Sequence, residues 1–86
     1  MFRTTLKLNN EEQSAEGESL VETLHAVAKP FAYPKSKQIF KTSGVLTVEK
    51  DGKSAKSDLR LYALKRFLNN QTMREIWAKR IERIMK

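Results

Sequence analysis

Residues 47–60 read Thr47-Val48-Glu49-Lys50-Asp51-Gly52-Lys53-Ser54-Ala55-Lys56-Ser57-Asp58-Leu59-Arg60, or TVEKDGKSAKSDLR. The conformation of the residues after the Asp51-Gly52 pair decides the fold. The stretch opens on the β-rich run Val45-Leu46-Thr47-Val48 and closes on a helical pattern that begins near Ser57. Asp-Gly is tight-turn chemistry, because both residues tolerate unusual backbone angles. The sequence therefore predicts a strand ending at the turn, then Lys53, Lys56 and Arg60 gathered around the start of a helix.

Gly52-Lys53-Ser54 matches the last three positions of a nucleotide phosphate loop, G-x-x-x-x-G-K-[ST], whose first glycine lets the loop wrap around phosphate. Counting back from Gly52, that position holds Thr47. The remaining chain is also too short for a nucleotide-binding α/β domain, so this motif is excluded. Asp51-Gly52-Lys53 likewise mimics the D-x-K of metal-dependent nucleases, but no aspartate precedes Asp51 to share a metal.

Upstream, Phe2-Arg3-Thr4-Thr5-Leu6-Lys7-Leu8 alternates, with Phe2, Thr4, Leu6 and Leu8 on one face, which predicts a half-buried strand. Residues 9–18 are polar and read as a flexible loop, long for a compact domain. Ser19-Leu20-Val21-Glu22 has the spacing of a capping box. Leu20, Leu24, Val27 and Ala28 then fall on one helical stripe. Pro30 stops that helix, and Pro34 keeps the next stretch extended. Phe31 and Tyr33 are expected to pack as the chain turns. Gln38-Ile39-Phe40-Lys41 and Val45-Leu46-Thr47-Val48 are predicted strands, with Thr42-Ser43-Gly44 as a hairpin loop.

On a helix from about Ser57, Leu59, Ala63 and Phe67 line one side and Leu61, Leu64 and Leu68 the other. Thr72-Met73-Arg74-Glu75 is a second capping-box pattern after Asn69-Asn70-Gln71. Yet Met73, Trp77, Ile81 and Ile84 continue the phase of Leu59, Ala63 and Phe67, so one long helix and two helices broken at 69–72 both fit. The predicted architecture is one α+β domain spanning 1–86. A small antiparallel sheet of about three strands is packed by helices in the order β-α-β-β-α(-α). An amphipathic segment over 73–86 serves for oligomerisation or docking.

Charge is unevenly distributed. The 86 residues carry 17 basic and 10 acidic groups, a net of +7. Residues 1–28 set Arg3 and Lys7 against five glutamates, a net of −3, so residues 29–86 hold 15 basic and 5 acidic residues, a net of +10. Such asymmetry fits a polyanion or an acidic protein as partner. There is no cysteine, so disulfides and thiolate metal sites are excluded. No apolar run reaches the ~20 residues that span a bilayer, and Met1-Phe2-Arg3 leads into a strand pattern and not a secretory signal. These features predict a cytoplasmic protein.

His25, the single histidine, flanks the apolar stripe of its helix without a serine–acid arrangement or metal-ligand cluster around it. No catalytic, metal-binding or cofactor-binding residues are therefore assigned, and a non-enzymatic binding protein is expected.

The run Ala55-Lys56, Leu59-Arg60, Ala63-Leu64 is similar to the A-K-x-x-A-A-x-x-A-L pattern of the last helix in double-stranded-RNA-binding domains, over about ten positions. That resemblance implies lysines at a helix start meeting phosphates across a groove. The family places three strands between its helices, whereas residues 31–53 supply two here. The candidate nucleic-acid contacts are Lys37, Lys41, Lys53, Lys56, Arg60, Lys65 and Arg66. With 8% aromatic residues, a dedicated single-strand binder is disfavoured. The expected function is duplex RNA or DNA binding without sequence specificity, in a regulatory or accessory role and as a homodimer. The alternative is a protein–protein adaptor or inhibitor docking through Met73, Ile76, Trp77, Ile81 and Ile84.

Overall fold

The computed structural model describes residues 1–8, 11–31 and 43–85, the side chain of Leu61 excepted. Strands β1 (Phe2–Leu8) and β2 (Glu11–Gly17) are followed by helix α1 (Leu20–Ala28) and a 3₁₀ turn (Lys29–Phe31). Strands β3 (Ser43–Lys50) and β4 (Lys53–Arg60) then lead into helices α2 (Leu61–Asn69) and α3 (Gln71–Ile84). The four strands form one antiparallel sheet in the order β2-β1-β3-β4. The fold is α+β, as the sequence predicts, with two strands that the sequence pattern does not reveal.

β1 alternates as expected. Phe2, Thr4, Leu6 and Leu8 are buried, and Arg3 and Lys7 are exposed. Its inward residues meet Leu46 and Val48 of β3 and Leu20, Leu24, Val27 and Ala28 of α1 in a single core closed by Leu59, Leu64, Phe67, Leu68, Ala78 and Ile81. Phe31 is buried there too.

The segment expected to be a loop, 9–18, is a strand over 11–17, paired with β1 from Phe2 opposite Gly17 to Leu8 opposite Glu11. Glu-Glu-Gln-Ser-Ala-Glu-Gly has almost nothing apolar to reveal a strand. As an edge strand it requires little apolar surface, and cross-strand pairing supplies the rest. Thr5 Oγ1 and Ser14 Oγ lie 3.1 Å apart, and Arg3 approaches Glu16 at 3.7 Å.

The larger correction concerns 53–60. Asp51 and Gly52 both adopt positive φ, 51° and 79°, as a two-residue hairpin turn of the primed type requires. The chain folds straight back, pairing Lys50 with Lys53 and Ser43 with Arg60. Lys-Ser-Ala-Lys-Ser-Asp-Leu-Arg is thus a strand with a weak alternation, Ala55, Ser57 and Leu59 inward and Ser54, Lys56, Asp58 and Arg60 outward. Its small inward residues hide the pattern. The helix starts at Leu61, so the similarity of 55–64 to a double-stranded-RNA-binding helix does not hold in three dimensions. Nor do Ser43 and Gly44 form a hairpin loop, and Thr42 lies outside the described residues. Ser43 and Gly44 belong to β3, while Gln38–Lys41 and Tyr33 lie outside the described residues.

The C-terminal helix is broken. Asn70 leaves the helical region (φ −130°, ψ 107°), and its side-chain carbonyl accepts from Met73 N at 3.1 Å. Asn70, and not Thr72, is the N-cap. Ser19 occupies the N-cap position of α1, but its side chain makes no capping hydrogen bond. The break ends any phase continuity between 59–67 and 73–84, and it lets α3 pack back on α1 and α2. Leu64, Phe67 and Leu68 form the buried face of α2, and Ala78 and Ile81 that of α3.

Candidate nucleic-acid interface

The strand register and the helix periodicity together decide where each cation points. In a strand successive side chains alternate faces, so residues paired across the sheet share a face. The face not covered by helices therefore carries Glu16, Arg3, Glu49 and Ser54 in one row, then Ser14, Thr5, Thr47 and Lys56, then Glu12, Lys7, Val45 and Asp58. With Arg60 opposite Ser43 beyond them, this face holds four basic and four acidic residues among the described residues. Among these it is charge-balanced and offers no basic surface.

The sequence candidates are consequently not brought together. Lys56 and Arg60 stand on the balanced sheet face. Lys53 sits on the opposite side of the same strand, at the hairpin tip, where its Nζ donates to the carbonyl of Met85 at 3.4 Å. Beside it, Lys50 lies 4.6 Å from the centroid of the Phe2 ring, a cation–π geometry. Lys37 and Lys41 lie outside the described residues. Lys65 and Arg66 are adjacent on exposed positions of α2.

The helices carry the charge instead. The four strands hold six basic and five acidic residues, whereas residues 61–85 hold six basic and two acidic. Of those six, Arg74 is turned inward. Its Nε donates to His25 Nδ1 at 2.7 Å, and a terminal nitrogen donates to the carbonyls of Phe67 and Leu68. Burial lowers the Arg74 guanidinium below its ordinary pKa. The other five, Lys65, Arg66, Lys79, Arg80 and Arg83, are exposed.

On α2, Tyr62, Lys65, Arg66 and Asn69 recur at i, i+3, i+4 and i+7, the stripe opposite the buried Leu64, Phe67 and Leu68. Tyr62 is 79% exposed, an aromatic ring in water beside two cations. The spacing is the same wherever the helix starts; sequence reasoning missed Tyr62 because it sought cations at a helix start near Lys53 and Lys56. On α3, Ile76, Lys79 and Arg83 form the outward stripe, flanked by Arg80.

The residues expected to form a docking interface divide as well. Ile81 is 3% exposed and belongs to the core. Trp77 is half-buried and packs edge-on against Phe67, with centroids 6.1 Å apart and planes at 82°. Met73 is half-buried. Ile76 and Ile84 remain accessible, at 41% and 73%.

Among the described residues no helix is long and apolar enough to cross a membrane. No family model matches the chain, and no curated protein or solved structure matches it.

Proposed function

We propose that this protein binds nucleic acid through its helical layer, contacting phosphates of duplex RNA or DNA without reading sequence, in a regulatory or accessory role. The observation that carries the reading is the partition of charge. The sheet is nearly neutral, while five exposed cations, Lys65, Arg66, Lys79, Arg80 and Arg83, stand on the outward faces of α2 and α3. Exposed cations of one sign on helices suit phosphate contact, which gives affinity without sequence information. Tyr62 adds a ring that can stack on an unpaired base at an end or bulge. The contact set differs from the one the sequence suggests, because pairing of 53–60 into the sheet removes Lys53 and Lys56 from any helix start and leaves Arg60 alone at the N-cap position of α2.

The test is titration of fluorescent RNA and DNA duplexes at two salt concentrations. Binding is expected at low salt, with log K falling against log salt at about −0.9 per phosphate contact on B-DNA. Lys65→Glu with Arg66→Glu, and Lys79→Glu with Arg83→Glu, are each expected to weaken it without loss of the circular dichroism of the fold. Absence of binding at low salt, or indifference to salt, overturns the reading.

The second reading, a non-enzymatic adaptor or inhibitor docking by the C-terminal helix, is favoured by the exposure of Ile76 and Ile84 on α3. Lys79, Arg80 and Arg83 around them suit an acidic partner. Ile76→Ser distinguishes the two readings, since it removes the apolar contact needed for protein docking and adds no charge beside Lys79 and Arg80.

A further inference from the structure

We propose that copies of this chain associate edge to edge, β4 of one copy pairing antiparallel with β2 of the next, so that the sheet continues from molecule to molecule. This proposal is independent of nucleic-acid binding. Among the described residues no strand lies beyond β2 or β4, and both edges of the sheet present backbone N–H and C=O groups with no described strand beside them. The edges are similar in length, seven and eight residues, and opposite in charge. β2 carries Glu11, Glu12 and Glu16 with no base, while β4 carries Lys53, Lys56 and Arg60 against Asp58. Charged edge strands ordinarily keep sheets from pairing. Here like edges repel and unlike edges attract.

One register satisfies every charged outward position. Glu12, Ser14 and Glu16 share the helix-free face with Arg3, Thr5 and Lys7, and Lys56, Asp58 and Arg60 share it with Val45, Thr47 and Ser43. Setting Glu12 opposite Arg60 sets Glu16 opposite Lys56 and Ser14 opposite Asp58, where a hydroxyl can donate to the carboxylate. A slip of two residues in either direction brings Glu12 or Glu16 opposite Asp58. A slip of one pairs the outward residues of β2 with the inward residues of β4, which puts the helices of the added copy on the opposite face of the sheet. Asp58, the one acid in a basic strand, thereby fixes the register.

The strand directions agree. All pairings in the sheet are antiparallel, so β2 runs opposite to β4. A copy added antiparallel to β4 through its β2 therefore keeps the orientation of the first, with its helices on the same side. The contact is head-to-tail and leaves a free β4 at the far end, so it propagates unless sheet twist closes it into a ring. This is not the closed homodimer expected from the sequence. Symmetric pairing of β4 with itself also sets Lys56 opposite Asp58, but it joins two strands of like net charge.

The experiment is sedimentation velocity of the full chain over a wide concentration range. Mass is expected to rise with concentration past the dimer and to fall back with added salt. Glu12→Lys with Glu16→Lys gives a chain with two basic edges, and Lys56→Glu with Arg60→Glu one with two acidic edges. Each is expected to be monomeric alone, and mixing the two to restore association. A wild type that stays monomeric at every concentration overturns the proposal. So does self-association that survives Glu12→Lys/Glu16→Lys, the result symmetric β4 pairing would give, and so does a mixture of the two folded variants that fails to associate. Should a charge reversal unfold the chain, Glu12→Gln with Glu16→Gln is the neutral replacement, expected to lower self-association while retaining the fold.

Discussion

Thr4 on β1 donates its hydroxyl proton to Thr23 Oγ1 on α1, across 2.7 Å of fully buried core. The helix fixes the direction. Thr23 Oγ1 gives its single proton to the carbonyl of Leu20, also at 2.7 Å, and can only accept from Thr4. Sheet and first helix are thus joined by a polar link inside an apolar core, with every described buried side-chain polar atom partnered.

The polarity of this link predicts an asymmetry. Thr23→Val leaves the Thr4 hydroxyl buried without an acceptor, at a cost of about 1–3 kcal/mol. Replacing both threonines by valine removes donor and acceptor together, so the double variant is expected to be more stable than Thr23→Val alone. Urea unfolding of both variants checks this. A double variant less stable than Thr23→Val alone contradicts the assignment.

Arg74 joins three helices, donating to His25 of α1 and to the Phe67 and Leu68 carbonyls at the end of α2. Hydrogen bonds from a charged donor contribute about 1.5–3 kcal/mol. Arg74→Ala is expected to destabilise within that range, and Arg74→Lys to recover little, because an ammonium cannot reproduce the planar fork. A double-mutant cycle with His25→Ala should give a coupling energy above about 0.5 kcal/mol. Additive losses would show that the 2.7 Å contact contributes nothing.

Asn70 supplies the cap that starts α3. Asn70→Ala should cost about 1 kcal/mol, which lowers Tm by about 4–8 °C in a domain of this size. Asn70→Asp keeps an acceptor at the helix N-terminus and should be near neutral. Thr72→Ala should have little effect, since Thr72 is not the cap. Thermal unfolding of the three variants ranks them.

Gly44 is buried where β3 passes under α2. A Cβ there would lie 2.5 Å from Leu8 Cδ2 and 3.2 Å from Leu64 Cδ1. Gly44→Val is expected to cost about 1–3 kcal/mol through overpacking. Leu64→Ala, which creates a cavity on its own, should be relatively better tolerated in the Gly44→Val background. Chemical denaturation of the two single variants and the double variant measures that compensation.

By itself the sequence determined what local periodicity encodes. The alternation from Phe2 to Leu8 specified β1 and its buried face, Leu20, Leu24, Val27 and Ala28 specified α1, and Asp51-Gly52 specified a tight turn. The overall excess of positive charge was also legible. The tertiary structure decided the rest, because the missing elements depend on partners distant in sequence. β2 and β4 have few apolar side chains of their own and are strands because β1 and β3 offer them hydrogen bonds. With β4 a strand, Lys53, Lys56 and Arg60 alternate across two faces instead of gathering at a helix start, and packing of Leu64, Phe67 and Leu68 leaves Tyr62 on the outward stripe of α2. The choice between one C-terminal helix and two was likewise tertiary. Propensity alone permits either, and the break at Asn70 is held by Arg74 on the carbonyls of Phe67 and Leu68 and by the burial of Ala78 and Ile81. Burial of those two residues requires α3 to turn back onto α1 and α2.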